Sequence, residues 1–82
     1  MRVWAYVFLT TRTPKVVLRE VRGIKGVLHA DALLGSPDIV AVVAGEDIAR
    51  MDAVIDRIAE IREIISTDSK VARWIDDVDF PA

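Results

Sequence analysis

The chain contains no cysteine among its 82 residues and only one histidine, His29. Disulfides and thiolate zinc sites are therefore excluded, and a histidine-rich metal site is excluded with them. No apolar run is long enough to span a bilayer: the N-terminal stretch runs only from Val3 to Leu9 and lacks a small-residue cleavage pattern. These absences point to a soluble cytoplasmic protein, and the lack of disulfides fits a reducing compartment. Nothing in the sequence calls for a cofactor or a membrane. A domain of this size buries a modest fraction of its surface, and without disulfides or metals oligomerisation is the remaining common way to add buried area.

Acidic and basic residues nearly balance, at a net charge of −2, but they are unevenly placed. Residues 1–25 carry Arg2, Arg12, Lys15, Arg19, Arg22 and Lys25 against Glu20, a formal +5, which leaves −7 for the rest. The overall balance is wrong for a nucleic-acid binder, so no direct nucleic-acid contact is expected.

Hydrophobic residues make up 52% of the chain and fall into six segments. Arg2–Thr10 is β-branched and aromatic, reads as a strand, and is apolar on both faces. Thr13 and Pro14 open a helix as cap and first residue; Val17, Leu18 and Val21 form its apolar stripe and Gly23 its stop. Val27–Leu34 is a second strand, with Leu28, Ala30, Ala32 and Leu34 on one face and Val27, His29, Asp31 and Leu33 on the other. The turn Gly35-Ser36-Pro37-Asp38 leads into Ile39–Ala44, apolar at every position and so buried on both faces. Asp47 caps a long helix whose stripe is Ile48, Met51, Val54, Ile55, Ile58 and Ile61. Ser69–Ile75 reads as a fourth, mixed strand, completing a single domain over residues 1–75, and residues 76–82 form a short acidic tail.

The order βαββαβ, with strands one and three apolar throughout and two and four mixed, predicts an α+β ferredoxin-like fold. Its antiparallel sheet has four strands, with one and three central, and right-handed crossovers place both helices on one face. The opposite face is then bare yet apolar, which predicts face-to-face packing of two sheets in a homodimer, a dimeric α+β barrel.

The run VLHADALLGSPDIVAVVAGEDIARMDAVIDRI resembles the ligand-binding half of the Lrp/AsnC transcription regulators, the RAM domain. That family places a glycine, two variable residues and an aspartate before an apolar strand and an acidic helix start. Gly35 and Asp38, then Ile39–Ala44, then Glu46-Asp47 fit those positions. The segment IISTDSKVA is similar to the hydroxyl-bearing approach to the family's last strand, and the likeness runs from Val3 to about Val71. It implies a non-enzymatic module that dimerises through its sheet, assembles into higher even-numbered oligomers, and takes a small effector, typically an amino acid, between dimers. The ligand-binding residues it implies are Gly35, Ser36 and Asp38 of the turn, with Asp38 accepting from a ligand ammonium, and the hydroxyl-bearing Ser66, Thr67 and Ser69. Typical members also carry an N-terminal helix-turn-helix domain. Here the first strand begins at Arg2, so the sequence reads as a stand-alone version, acting on transcription or amino-acid metabolism through effector-linked assembly or a full-length Lrp/AsnC regulator as partner. Pro37 removes one loop N–H donor from the turn.

Other readings of the same residues stay beside this one. Gly-Ser-Pro-Asp is good turn chemistry with or without a ligand. A small cofactor-free enzyme of the dimeric α+β barrel type, monooxygenase-like, would draw on His29, Tyr6 and Trp4 in a pocket between sheet and helices. An RNA-binding platform needs aromatic residues on the third strand, which reads DIVAVVA. Asp76, Asp77 and Asp79 lack the spacing of a calcium loop and read as a solvated tail. Trp74 and Phe80 read as cover for a sheet edge or a neighbouring subunit, and His29 at a sheet interface would make assembly pH-sensitive.

Overall fold

The computed structural model describes residues 2–73. The tail at 76–82, its three aspartates, Trp74, Phe80 and the last two residues of the expected fourth strand lie outside the described residues. The chain forms β1 (Val3–Thr11), α1 (Pro14–Arg22), β2 (Val27–Ala32), β3 (Ile39–Gly45), α2 (Ile48–Ala59) and β4 (Ile64–Val71). The sheet order is β2-β3-β1-β4, with every neighbouring pair antiparallel. The expected ferredoxin-like arrangement is therefore present, with β1 and β3 central.

The two central strands meet in a register from Val3 opposite Gly45 to Leu9 opposite Ile39. Their alternation sends Ala5, Val7 and Leu9, with Ile39, Ala41 and Val43, towards the helices, where all six are fully buried. Val17 and Val21 of α1, Met51 and Ile58 of α2, and Ala30 of β2 complete this core. Each large aliphatic side chain buried here stabilises the fold by about 2 kcal/mol. Leu18, Val54, Ile55 and Ile61 pack around its margin. Ile48, expected in the buried stripe, is 63% exposed, because the stripe turns away from the sheet at the first residue of α2. The other face of β1 is open rather than covered, and Trp4 and Tyr6 are each 41% exposed on it.

Local signals explain the ends of the elements. Asp47 caps α2, its carboxylate accepting from the Arg50 N–H at 2.8 Å, as expected for a residue at that position. Thr13 precedes α1 but makes no side-chain cap bond. Its own N–H instead donates to the Thr11 hydroxyl at 3.1 Å, and Pro14 at the helix start removes one N–H that a cap would serve. Gly23 does end α1, in a right-handed conformation with φ −85° that other residues also adopt.

Two strands depart from the expected reading. A register shift between Val27 and His29 puts Val27 opposite Val43, on the same face as Ala30 and Ala32. The simple alternation expected across this strand is broken there, and the strand stops at Ala32, leaving Leu33 and Leu34 in the turn. The fourth strand starts five residues earlier than expected, at Ile64, and ends at Val71. It follows α2 closely: the helix is capped at Glu60, Ile61 N–H bonds back to Ile58 and Ile64 N–H to Ile61, so the chain turns straight into the sheet.

Candidate functional site

Gly35 has φ +102°, a conformation that favours glycine, so the turn does require this residue. The peptide bond between Ser36 and Pro37 is cis. Asp38 closes the hairpin, its carbonyl accepting from Leu33 N–H at 2.8 Å while its own N–H donates to the Leu9 carbonyl at 2.9 Å. Its carboxylate accepts from the Thr11 N–H at 2.9 Å, just past the end of the β1–β3 ladder. That N–H lies one step beyond the last β1–β3 pair, Leu9 opposite Ile39, and the Asp38 side chain supplies the acceptor the ladder no longer offers.

Thr11, which sequence reasoning did not single out, is the junction of this end of the sheet. It is 5% exposed, and its hydroxyl donates to the Glu63 carbonyl at 2.8 Å while receiving the Thr13 N–H. One side chain thus ties the end of β1 to the start of α1 and the start of β4.

The hydroxyl residues of β4 divide between its two faces. Ser66 lies opposite Thr10 and Asp68 opposite Phe8, on the open sheet face. Thr67 lies opposite Leu9 and Ser69 opposite Val7, on the helix side, so neither joins Ser66. A shallow depression of about 310 Å³ is lined by Phe8, Thr10, Ser36, Pro37, Ser66 and Asp68. It brings together Ser36 and Ser66 of the expected set; Gly35, Asp38, Thr67 and Ser69 do not line it. It adds Asp68, whose carboxylate sits 3.1 Å from the Lys70 ammonium. Once β4 begins at Ile64, strand alternation alone places Ser66 and Asp68 beside Phe8. The missed signal was therefore the strand boundary.

Rows of side chains cross the open face. His29, Val42, Tyr6 and Lys70 stand opposite one another across the four strands, and Asp31, Val40, Phe8 and Asp68 form the next row. The apolar middle is thus bordered by charge. Asp31 lies 4.0 Å from His29 and 3.7 Å from Arg22, whose guanidinium also donates twice to the Ala30 carbonyl, at 3.0 and 2.8 Å. Trp4, Tyr6 and His29 all lie on this open side, whereas the space between sheet and helices is filled by the core. Among the described residues no group of three or more acidic or histidine side chains is placed to hold a metal ion. Among the described residues no helix is long and apolar enough to cross a membrane.

No curated protein matches the chain significantly by sequence. Among solved structures, a protein from Thermus thermophilus superposes with a TM-score of 0.82 at 19% identity, over 98% of this chain and 99% of its own. Escherichia coli AsnC superposes with a TM-score of 0.78 at 21% identity, over 89% of this chain and 52% of its own. A Neisseria meningitidis transcriptional regulator, solved as a complex with L-methionine, superposes with a TM-score of 0.72 at 17% identity, over 95% of this chain and 53% of its own. At these identities the superpositions establish a shared fold. The sequence pattern of the Lrp/AsnC ligand binding domain matches residues 5–73, which takes in every strand and helix described above except the first two residues of β1. By that match the chain belongs to the Lrp/AsnC ligand-binding domain family.

Proposed function

We propose that this chain is a regulatory module, not an enzyme, that pairs through its open sheet face and takes an amino acid at the rim of that face. The observation that carries the reading is the depression where Ser36 of the turn meets Ser66 and Asp68 of β4. A carboxylate on one side and hydroxyl donors around it suit the two charged ends of an amino acid. Asp68, rather than Asp38, is the partner for the ligand ammonium, because Asp68 lines the depression and Asp38 does not. The ligand ammonium would replace the exposed Lys70 contact. Gly35 and Asp38 hold the turn in shape from outside the depression.

Pairing of two open faces would bury Trp4, Tyr6, Phe8, Val40 and Val42 and leave the depression at the margin, within reach of a further subunit. Effector binding there shifts assembly only by its difference in affinity for the assembled and dissociated states. The output would pass to a full-length Lrp/AsnC regulator offering the same sheet surface.

The test is thermal stability and oligomer size measured against each of the twenty amino acids at millimolar concentration. A ligand at one hundred times its dissociation constant adds about 2.7 kcal/mol of stability to the native state. At least one amino acid should raise the melting temperature saturably, and Asp68→Asn and Ser66→Ala should weaken that response without changing the unliganded assembly. A flat response to all twenty overturns the effector reading.

A further inference from the structure

At the opposite end of the sheet, a cavity of about 520 Å³ opens between the start of β1, the connector into β2 and the outer side of α2. Its walls include Gly26, Ala44, Gly45, Ala53 and Val54, all small or apolar. Gly26 and Gly45 let the backbone come flush against α2. A Cβ at Gly26 would lie 2.5 Å from a Val54 methyl, and one at Gly45 would collide with the backbone at Met51. The floor is therefore closely fitted.

The rim is cationic. Arg2, Lys25, Arg50 and Arg57 line the cavity, with Glu46 as the one carboxylate among its lining residues. Arg50 is held by Asp47, its neighbour on the helix. Arg2, Lys25 and Arg57 form no ion pair among the described residues. They come from three separate stretches of chain, so their convergence is a product of the fold. Cations gathered around one hollow repel each other, and an anion bound between them relieves that repulsion while receiving charge-assisted hydrogen bonds. The volume lies within the range of small-molecule sites, and the apolar floor suits a ligand body without charge.

We propose that this cavity is a second binding site, for a small organic phosphate that carries at least two negative charges on an apolar or aromatic body. Guanidinium groups match phosphate oxygens in geometry as well as charge, and Arg2 and Arg57 line the hollow together with Lys25. The site is independent of the depression at the Ser36 turn and uses none of its residues.

Calorimetry and thermal melting of the full chain with pyrophosphate, AMP and ATP test this, with potassium chloride at matched ionic strength as reference. Saturable binding is expected, with the nucleotides bound more tightly than pyrophosphate because they also cover the apolar floor. Arg57→Glu should weaken binding by about tenfold or more. Lys25→Gln should weaken it less. Arg19→Glu, which alters an equal charge on α1 away from the cavity, should leave it unchanged. The proposal is overturned if chloride reproduces the response, or if Arg57→Glu and Arg19→Glu have the same effect. It is also overturned if binding appears only after Asp76, Asp77 and Asp79 are changed to asparagine, which would assign the cavity to the chain's own acidic segment.

Discussion

Asp38 shows how the position of a residue can be legible while its hydrogen-bond partner is not. Its position after Gly35 was legible from the sequence, as was the glycine's special conformation. Its hydrogen bond to Thr11 was not, because the partner is 27 residues away and is left unpaired only where the β1–β3 ladder ends, a point that local pattern does not reveal. Removing the acceptor leaves a part-buried N–H without a partner, which costs about 1–3 kcal/mol. Asp38→Ala should therefore lower the urea midpoint in the absence of any ligand, whereas Asp38→Asn, which keeps a carbonyl acceptor, should recover most of the loss. Hydrogen exchange at the Thr11 amide should quicken in the alanine variant and not in the asparagine one. An Asp38→Ala protein as stable as the parent, but unresponsive to amino acids, would restore the direct ligand role to this side chain.

Among the elements, legibility followed burial. β1 and β3 have continuous apolar sequences because the sheet buries their helix side and needs an apolar outer face, and both strands fall within two residues of their expected limits. α2 was legible from its stripe and from Asp47. The edge strands were harder. β2 hides a bulge that moves Val27 to the other face. β4 has exposed side chains on both faces after Ile64, so STDSK carries no period-two pattern, and the expected strand slipped toward the more apolar residues that follow. Of the residues at the depression, Ser36 and Ser66 were expected, but Asp68 was missed with the strand, since it stands beside Phe8 only in the true register. The start of β4 is instead anchored by Thr11, and this can be measured. Thr11→Val preserves shape and the backbone N–H to Asp38 but removes the hydroxyl that serves Glu63 and Thr13. A loss of about 1–3 kcal/mol is expected, with faster hydrogen exchange at the beginnings of β4 and α1 while the centre of β3 stays protected.

At the scale of the whole molecule, the sheet has a finished side and an unfinished one. The sequence showed this asymmetry because the βαββαβ order allows both helices on one face only, while Trp4, Tyr6 and Phe8 supply apolar surface to the other. A small core with an uncovered aromatic face should gain substantially from pairing. Tyr6→Glu combined with Val42→Glu places charge at the middle of the open face without entering the core. If the proposed pairing holds, this variant sediments as a monomer where the parent sediments as a larger species, while the far-ultraviolet circular dichroism remains that of an α+β fold. If the doubly substituted chain sediments like the parent, the face is not the pairing surface.

The exposed polarity of β4 has a consequence for solubility. An edge strand offers unpaired backbone groups to any other chain, and long apolar edges invite edge-to-edge growth into aggregates. This sheet blunts both of its margins. Asp68 and Lys70 stand on β4, and on β2 His29 and Asp31 accompany an Arg22 guanidinium that occupies the Ala30 carbonyl. Another strand approaching either margin would have to desolvate charge before it gained a backbone bond. The chain can therefore expose an apolar face without its edges recruiting other strands. The same composition that concealed β4 in the sequence guards that margin of the sheet.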